Sequence, residues 1–175
     1  MGRLVVVVVA LGAILVFATK DSVGDSKDVA VGDCITVSGT GGDSDLSAKK
    51  ADCSSEQFTF LVAQKIQSAK CPGEQYSRLW FVSGSDEDRS KGEQLCLTPN
   101  FTAGKCYAVP SAESETAHLS DFRAVSCGSV GSGSTSVVRV ETRTSEQPSC
   151  PDPQVAVYFE LPTPIGYCVS ESSGT

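Results

Sequence analysis

His118 is the only histidine of the chain, and it lies three residues before Asp121. A histidine that is oriented by a carboxylate and paired with a serine forms the catalytic triad of many hydrolases. The chain is rich in serine but lacks a G-x-S-x-G sequence, the turn that presents the nucleophile in the α/β-hydrolases. A surface histidine in the polar loop 111–121 explains the same residues without chemistry, so a hydrolase using His118 is a weaker alternative function.

Two acidic turns and the cysteines are the candidate metal ligands. The run Asp86-Glu87-Asp88 lacks the glycine and the glutamate that an EF-hand loop needs at its sixth and twelfth positions. Asp43 and Asp45 form a second acidic turn, which we interpret as a solvated hairpin tip. Zinc sites and thiol–disulfide oxidoreductases use closely paired cysteines, whereas the closest pair here is Cys96 and Cys106. The sequence therefore predicts no metal ligand, no cofactor and no catalytic residue.

An even number of cysteines behind an export segment is typical of a disulfide framework. The chain has eight cysteines, and all of them follow an apolar N-terminal run. We predict that all eight form disulfides: Cys34, Cys53, Cys71, Cys96, Cys106, Cys127, Cys150 and Cys168.

The apolar run Leu4–Ala18 follows the single cation Arg3 and contains no charge. Its length matches the core of a signal peptide and is short of the roughly 20 residues that span a bilayer. Residues 1–18 are therefore a signal peptide or an uncleaved signal anchor, and both remain open. Arg3 should stay in the cytoplasm, which places the rest of the chain outside. The polar residues 19–30 are expected to form a flexible stalk.

The formal net charge of −7 disfavours nucleic acid and anionic membrane surfaces as partners. We expect contact with a membrane only through the N-terminal segment, if it is not cleaved. The 175 residues leave room for one ordinary domain or two small ones.

A weak internal repeat divides the exported part into two halves, residues 31–100 and 101–170, followed by a disordered tail, 171–175. Val31-Gly32-Asp33-Cys34 in the first half corresponds to Ala103-Gly104-Lys105-Cys106 in the second. Four cysteines in each half allow three pairings, and we favour first with second and third with fourth. Each such bridge closes a loop that contributes on the order of 3 kcal/mol in the chain-entropy account.

Strand patterns dominate both halves. Apolar residues alternate along Phe58–Ile66, and in Ser136–Thr144 the side chains of Arg139, Glu141 and Arg143 should face away from Val138 and Val140. Val155–Leu161 is a further β-rich run. A short helix is possible over Pro72–Leu79, because proline suits a first helical turn. We predict a mainly β protein built from two similar disulfide-stapled small β units that pack together.

Tyr76, Trp80 and Phe81 belong to the densest aromatic cluster of the sequence. Core packing beside Cys71 and Cys96 is the simpler interpretation. Trp and Tyr are also enriched at the centres of protein interfaces, so these three residues are the candidate partner-binding residues.

Four short motifs carry a family resemblance: Val31-Gly32-Asp33-Cys34, Asp52-Cys53-Ser54, Cys71-Pro72 and Leu95-Cys96-Leu97. This pattern resembles the LppU-type exported proteins of mycobacteria and related actinobacteria, with the second half as a diverged copy. It is also similar to actinobacterial envelope domains that open with Val-Gly-Asp-Cys, some of them associated with septum formation. The resemblance implies a small extracytoplasmic domain without catalytic residues to carry over. The chain departs from these relatives in two ways: it has no lipid-attachment cysteine near Ala18, and no histidine at 54–57.

The leading function is therefore a non-enzymatic envelope or secreted interaction module that binds an unknown protein or envelope component. The alternative is the sensory or regulatory ectodomain of a protein anchored by residues 4–18.

Overall fold

The computed structural model describes residues 22–23, 26–39, 46–67, 70–81, 93–111 and 118–172. The N-terminal run 1–18 and both acidic turns, 43–45 and 86–88, lie outside these residues, so the predictions made for them have no structural counterpart here. Among the described residues, no helix is long and apolar enough to cross a membrane.

The first unit is an antiparallel sheet with strand order β1-β3-β2-β4-β6-β5. Its strands are β1 (Ser22–Val23), β2 (Cys34–Ser38), β3 (Ser47–Ala51), β4 (Phe60–Gln67), β5 (Ser77–Trp80) and β6 (Glu93–Pro99). A 3-10 helix, Ser26–Asp28, lies between the first two strands.

The second unit is a five-stranded antiparallel sheet with order β8-β7-β9-β11-β10. Its strands are β7 (Cys106–Pro110), β8 (Arg123–Val125), β9 (Thr135–Thr144), β10 (Val155–Phe159) and β11 (Ile165–Glu171). A second 3-10 helix, Leu119–Asp121, lies between β7 and β8. If β7 is matched to β2, β8 to β3, and so on along the chain, this order is the same as β3-β2-β4-β6-β5 of the first unit. The prediction of a mainly β fold with two similar units is confirmed.

Four disulfides staple the two sheets, two in each unit. The pairs are those favoured from the sequence: Cys34–Cys53, Cys71–Cys96, Cys106–Cys127 and Cys150–Cys168. No described cysteine is free.

A bulge interrupts the long strand of each unit at the same relative place. In β4, Val62 pairs with Leu97 and Gln64 pairs with Cys96, which leaves one extra residue between them. An extra residue bends a strand and reverses the faces to which the side chains beyond it point.

The bulge in β9 changes the prediction for Arg143. Val140 pairs with Val169 and Thr142 pairs with Cys168, so Glu141 is the extra residue. Arg143 then pairs with Tyr167, on the same face as Val140. Alternation from the sequence had placed Arg143 on the opposite face. That expectation was wrong, because strict alternation of side-chain faces takes no account of an extra residue that has no partner on the neighbouring strand.

The described residues form two hydrophobic cores, and both units contribute to each of them. The first lies on one face of the first sheet and contains Ile35, Val62 and Leu97, together with Leu119 from the second unit. The second lies between the sheets and joins residues of both units, among them Ala63, Tyr76, Cys96, Phe101, Tyr107, Val140, Phe159, Ile165 and Tyr167.

Three local expectations differ from the structure. Residues 19–30 are more than a stalk, because Val23 and Val29 are buried in the first core and β1 pairs with β3. Residues 72–76 form turns and bends that lead into β5, where a short helix was expected. At the C-terminus, β11 includes Glu171, and the N–H of Ser172 donates to the carbonyl of Val137 at 2.9 Å. The burial of Val23 and Val29 was not predicted because each is an isolated apolar residue in a polar segment, and an isolated residue carries no periodic signal.

Candidate functional site

The junction between the units is organised around Asn100, which follows β6. Its side-chain N–H groups donate to the carbonyl of Cys53 at 2.8 Å and to Oγ1 of Thr59 at 2.9 Å. Its side-chain oxygen accepts from the guanidinium of Arg143 at 3.0 Å. Asn100 is 9% exposed, so this amide is both buried and fully hydrogen-bonded.

Arg143 connects the second unit to this junction. The same guanidinium nitrogen donates to the carbonyl of Phe101 at 2.8 Å, and its carbon lies 5.9 Å from the centre of the Tyr167 ring. A guanidinium over an aromatic face adds a favourable cation–π contact. The arginine thus fixes the orientation of the chain where one unit passes into the other.

Tyr167 occupies the centre of the second core and is fully buried. Its hydroxyl donates to the carbonyl of Pro99 at 2.9 Å and accepts from the N–H of Phe101 at 3.3 Å. Desolvation raises the pKa of this phenol above its ordinary value of 10, and Arg143 partly opposes that rise. Nothing in this arrangement exposes the hydroxyl to a substrate, so its role is structural.

The three predicted partner-binding aromatics separate in the structure. Tyr76 is 5% exposed, and its hydroxyl accepts hydrogen bonds from the N–H groups of Glu160 and Leu161 at 3.0 and 3.1 Å. Tyr76 therefore links the first unit to the second from within the core between the sheets. Phe81 is half-buried and packs against the first core. Trp80 alone is a surface residue, at 41% exposed.

Trp80 projects from an edge of the first sheet. It ends β5, the outermost strand on that side, and pairs with Gln94 of β6. The neighbouring Leu79 points to the opposite face and is buried in the first core. The core thus holds the strand through Leu79 and leaves the indole at the surface.

His118 and Asp121 belong to the start of a 3-10 helix. Oδ2 of Asp121 accepts from the backbone N–H of His118 at 2.9 Å, and the carbonyl of His118 accepts from the N–H of Asp121 at 3.0 Å. The carboxylate that a triad would need is therefore engaged with the backbone. In the described part of the chain, no group of three or more His, Cys, Asp or Glu side chains is placed to hold a metal ion.

The motifs that carry the family resemblance have structural roles. Gly32 has φ of +92° and Gly104 has φ of +81°, a conformation that suits glycine. Oδ2 of Asp33 accepts from the N–H of Ala30 at 2.8 Å and lies 3.2 Å from Nζ of Lys50. The hydrogen bond from the N–H of Ala30 is the largest effect and lowers the pKa of Asp33; desolvation opposes it, and Lys50 lowers the pKa further.

Asp52 has a similar local role beside Cys53. Its carboxylate accepts from the hydroxyl of Ser54 at 2.7 Å and from the N–H of Ser54 at 2.8 Å, and these bonds lower its pKa. Both aspartates of the motifs therefore hold turns next to a disulfide.

A cleft of 330 Å³ lies at the end of the first sheet, lined by Lys27, Lys65, Ile66, Gln67 and Glu93. Nε2 of Gln67 donates to Oε1 of Glu93 at 2.8 Å across it. The lining contains no nucleophile of the Ser, Thr or Cys type, and we assign it no chemistry.

The junction residues were not recognised from the sequence. By sequence, Asn100 is the first residue of an Asn-X-Thr glycosylation sequon, Asn100-Phe101-Thr102, and alternation predicts Arg143 as an outward-facing charge. Asn100 is the single asparagine of the sequence and lies between two strand-rich halves, but its hydrogen-bond partners are 41 to 47 residues away along the chain.

Comparison with protein-family models, with curated proteins and with solved structures finds no match to this chain. The four intrachain disulfides indicate an oxidising, extracytoplasmic environment.

Proposed function

We propose that this protein is a non-enzymatic interaction module that is exported to the cell envelope or the medium. The disulfide framework supports an extracytoplasmic location, because such bridges persist in oxidising compartments. In the described residues the polar groups with unusual environments, Asn100, Arg143 and Tyr167, hydrogen-bond within the protein. These three residues hold the two units together, so recognition of a partner is left to residues at the protein surface.

The observation that carries the proposal is the exposure of Trp80. It is the only tryptophan of the chain, and 41% of its surface is accessible, whereas Tyr76 is buried. A tryptophan on an edge strand offers a large apolar surface at a small cost in conformational entropy, as interface anchors do. We propose that Trp80 is the anchor for a protein or envelope component.

Site-specific photocrosslinking in living cells tests this function. A photoreactive phenylalanine analogue at position 80 should give a discrete adduct in the native host. The same analogue at position 130 is the matched control, because Val130 is 80% exposed and lies far along the chain from the anchor. An adduct from position 80 alone supports the proposal. Equal labelling from both positions, or none from position 80, contradicts it.

We propose further that the mature chain begins near Thr19, after cleavage of the signal peptide. The opposing possibility is a membrane-anchored sensory ectodomain that retains residues 4–18. The intact mass of the exported protein distinguishes them, because cleavage removes residues 1–18 and anchoring retains Met1. The same spectrum, recorded with and without thiol alkylation, counts free thiols, and four disulfides predict none.

Kinship with the LppU-type exported proteins is part of the proposal. Its support is that the quoted motif residues hold one local structure: Gly32 donates its N–H to the carbonyl of Val62 at 2.8 Å, and Cys34 begins β2. An experimental structure of an LppU-type protein should show the same left-handed glycine before the same first disulfide. A different backbone at that glycine would argue for independent origins.

A further inference from the structure

The strand β10 forms one edge of the second sheet and carries no charged side chain; its sequence is Val-Ala-Val-Tyr-Phe. Edge strands in soluble proteins are commonly protected by charges against pairing with another chain. The other edges of this protein follow that rule, with Arg78 on β5, Arg123 on β8, and Lys49 and Lys50 on β3 beside the two-residue β1.

The backbone of β10 shows which polar groups point outward. The carbonyl of Tyr158 accepts from Nε2 of Gln75 at 3.5 Å, and the N–H of Glu160 donates to the hydroxyl of Tyr76 at 3.0 Å. Both partners belong to the first unit, so Tyr158 and Glu160 direct their backbone groups away from β11. Alternate residues of a strand share this direction. The N–H and carbonyl of Ala156 therefore point outward as well.

From this geometry we infer that two copies of the chain pair through β10, antiparallel, about a twofold axis at Ala156. An antiparallel pair of identical strands is closed and self-complementary. Ala156 then exchanges both of its backbone hydrogen bonds with Ala156 of the second copy. The N–H of Tyr158 meets the carbonyl of Gln154 of the second copy, and the reverse, which makes four bonds in all.

The remaining backbone groups are already satisfied in a way that fits this register. The N–H of Gln154 donates to the carbonyl of Pro151 at 2.8 Å within its own chain, and the carbonyl of Tyr158 is taken by Gln75. In the proposed pair these two groups would face each other. The ladder therefore uses outward groups of β10 that no described residue engages, and it requires none that are already bonded.

The side chains support the same register. Val155 is 61% exposed, although valine is usually buried, and in the pair it lies opposite Val157 of the second copy. Both valines lie on the face that continues the second core through Val169. Cross-strand pairs of β-branched residues stabilise a sheet, so dimerisation would extend the core across the axis.

The charge of the chain makes this association weak and dependent on salt. Both copies carry the same net negative charge, and the exposed Asp152 of one copy approaches the exposed Glu160 of the other. Salt screens such repulsion over about 10 Å at 0.1 M. The dimer should therefore tighten when sodium chloride is raised from low to physiological concentration.

Sedimentation velocity of the exported protein, with its disulfides intact, tests the proposal from about 1 µM to 1 mM. We expect a monomer–dimer equilibrium in this range, and Val155→Lys should weaken it at least about tenfold. Val130→Lys is the matched control, because it adds the same charge at an exposed valine outside β10. A monomer throughout, or equal weakening by both variants, overturns the proposal.

Hydrogen exchange at single amides gives a second test that needs no variant. In the dimer the N–H groups of Ala156 and Tyr158 should exchange more slowly as protein concentration rises, whereas those of Val155 and Val157, which face β11, should be protected at every concentration. Ala156→Pro removes the outward N–H only, and proline is tolerated at an edge. Loss of the dimer in Ala156→Pro, with an unchanged thermal midpoint, supports the pairing. Exchange at Ala156 that is independent of concentration overturns it.

Discussion

At the scale of single residues, the packing of the two units is stabilised by polar side chains that each make several hydrogen bonds to other segments of the chain. Asn100 uses both amide hydrogens and its oxygen, and all three bonds reach other segments of the chain. A buried polar group is tolerated only when it is hydrogen-bonded, and removing one of its partners lowers the free energy of unfolding. The sequon that begins at Asn100 is therefore closed to glycosylation in the folded protein.

Tyr167→Phe should reduce the free energy of unfolding by about 1–3 kcal/mol. The variant keeps the ring in the second core but leaves the carbonyl of Pro99 and the N–H of Phe101 without the hydroxyl. Urea denaturation followed by circular dichroism measures the change. Tyr158→Phe is the control, because the Tyr158 side chain is only partly buried and belongs to the outer strand. Equal stabilities of Tyr167→Phe and the wild type would contradict the structural role.

Asp33 should make stability depend on acid pH. Its pKa is lower in the fold than its ordinary value of 3.8, so its contribution is present above the pKa of the unfolded chain and is lost as pH falls through the folded pKa. The side chain is partly exposed, which limits the effect to about 1 kcal/mol or less. Asp33→Asn should therefore flatten the fall of the thermal midpoint between pH 5 and pH 2. An unchanged slope in Asp33→Asn would exclude this contribution.

At the scale of elements, each unit depends on two features. One is a tight turn before β2 or β7, and the other is a bulge in the long strand that pairs with it, β4 or β9. Gly104 donates its N–H to the carbonyl of Val140, and Val140 returns its N–H to the carbonyl of Lys105, at 2.7 and 3.0 Å. Gly32 and Val62 make the corresponding contact in the first unit. The turn thus ties the start of one strand to the point at which the bulge begins.

Gly104→Ala should destabilise the protein by about 1–2 kcal/mol, because φ of +81° strains any side chain even though a methyl group would meet no atom within 4 Å. Gly133→Ala is the matched control, since that site is equally open and has no positive φ. There the smaller entropy of the unfolded chain should leave stability unchanged or raise it by about 0.4–1 kcal/mol. Thermal unfolding of both variants gives the comparison, and losses of equal size would refute the argument from backbone conformation.

At the scale of the whole molecule, the two units share their hydrophobic cores. The second unit places Leu119 in the core of the first, and Phe122 stacks on Phe58 with ring centres 5.5 Å apart. The first unit contributes Tyr76 and Cys96 to the core between the sheets. A unit on its own would expose these surfaces to water, so the two should unfold together.

Leu119→Ala tests this cooperativity. Truncation of a buried leucine costs about 2–5 kcal/mol, and here the lost contacts belong to the other unit. The fluorescence of Trp80, in the first unit, should report the whole loss, and its urea transition should coincide with that of circular dichroism. Val130→Ala, at an 80% exposed site, is the control. Two separate transitions, or an unshifted Trp80 transition, would show that the units are independent.

The sequence alone determined the features that depend on local composition and order along the chain. Eight cysteines behind an apolar run predicted the disulfides, and the parallel order of motifs around Cys34 and Cys106 was enough to favour the four pairs. Alternating side chains in Phe58–Ile66 and Ser136–Thr144 predicted β4 and β9, and the β-rich run Val155–Leu161 predicted β10. Each of these signals extends over a few residues, so no knowledge of distant partners is needed to detect it.

Tertiary structure alone decided what depends on contacts between distant segments. The bulge at Glu141 placed the exposed Arg143 on the same face as Val140, and packing between the sheets separated buried Tyr76 from exposed Trp80. Leu119 became part of the core of the first unit only because the 3-10 helix Leu119–Asp121 packs against β2 and β5. Burial, register and strand order arise from the sum of many weak contacts across the chain, and no local pattern of residue types records which of those contacts will form.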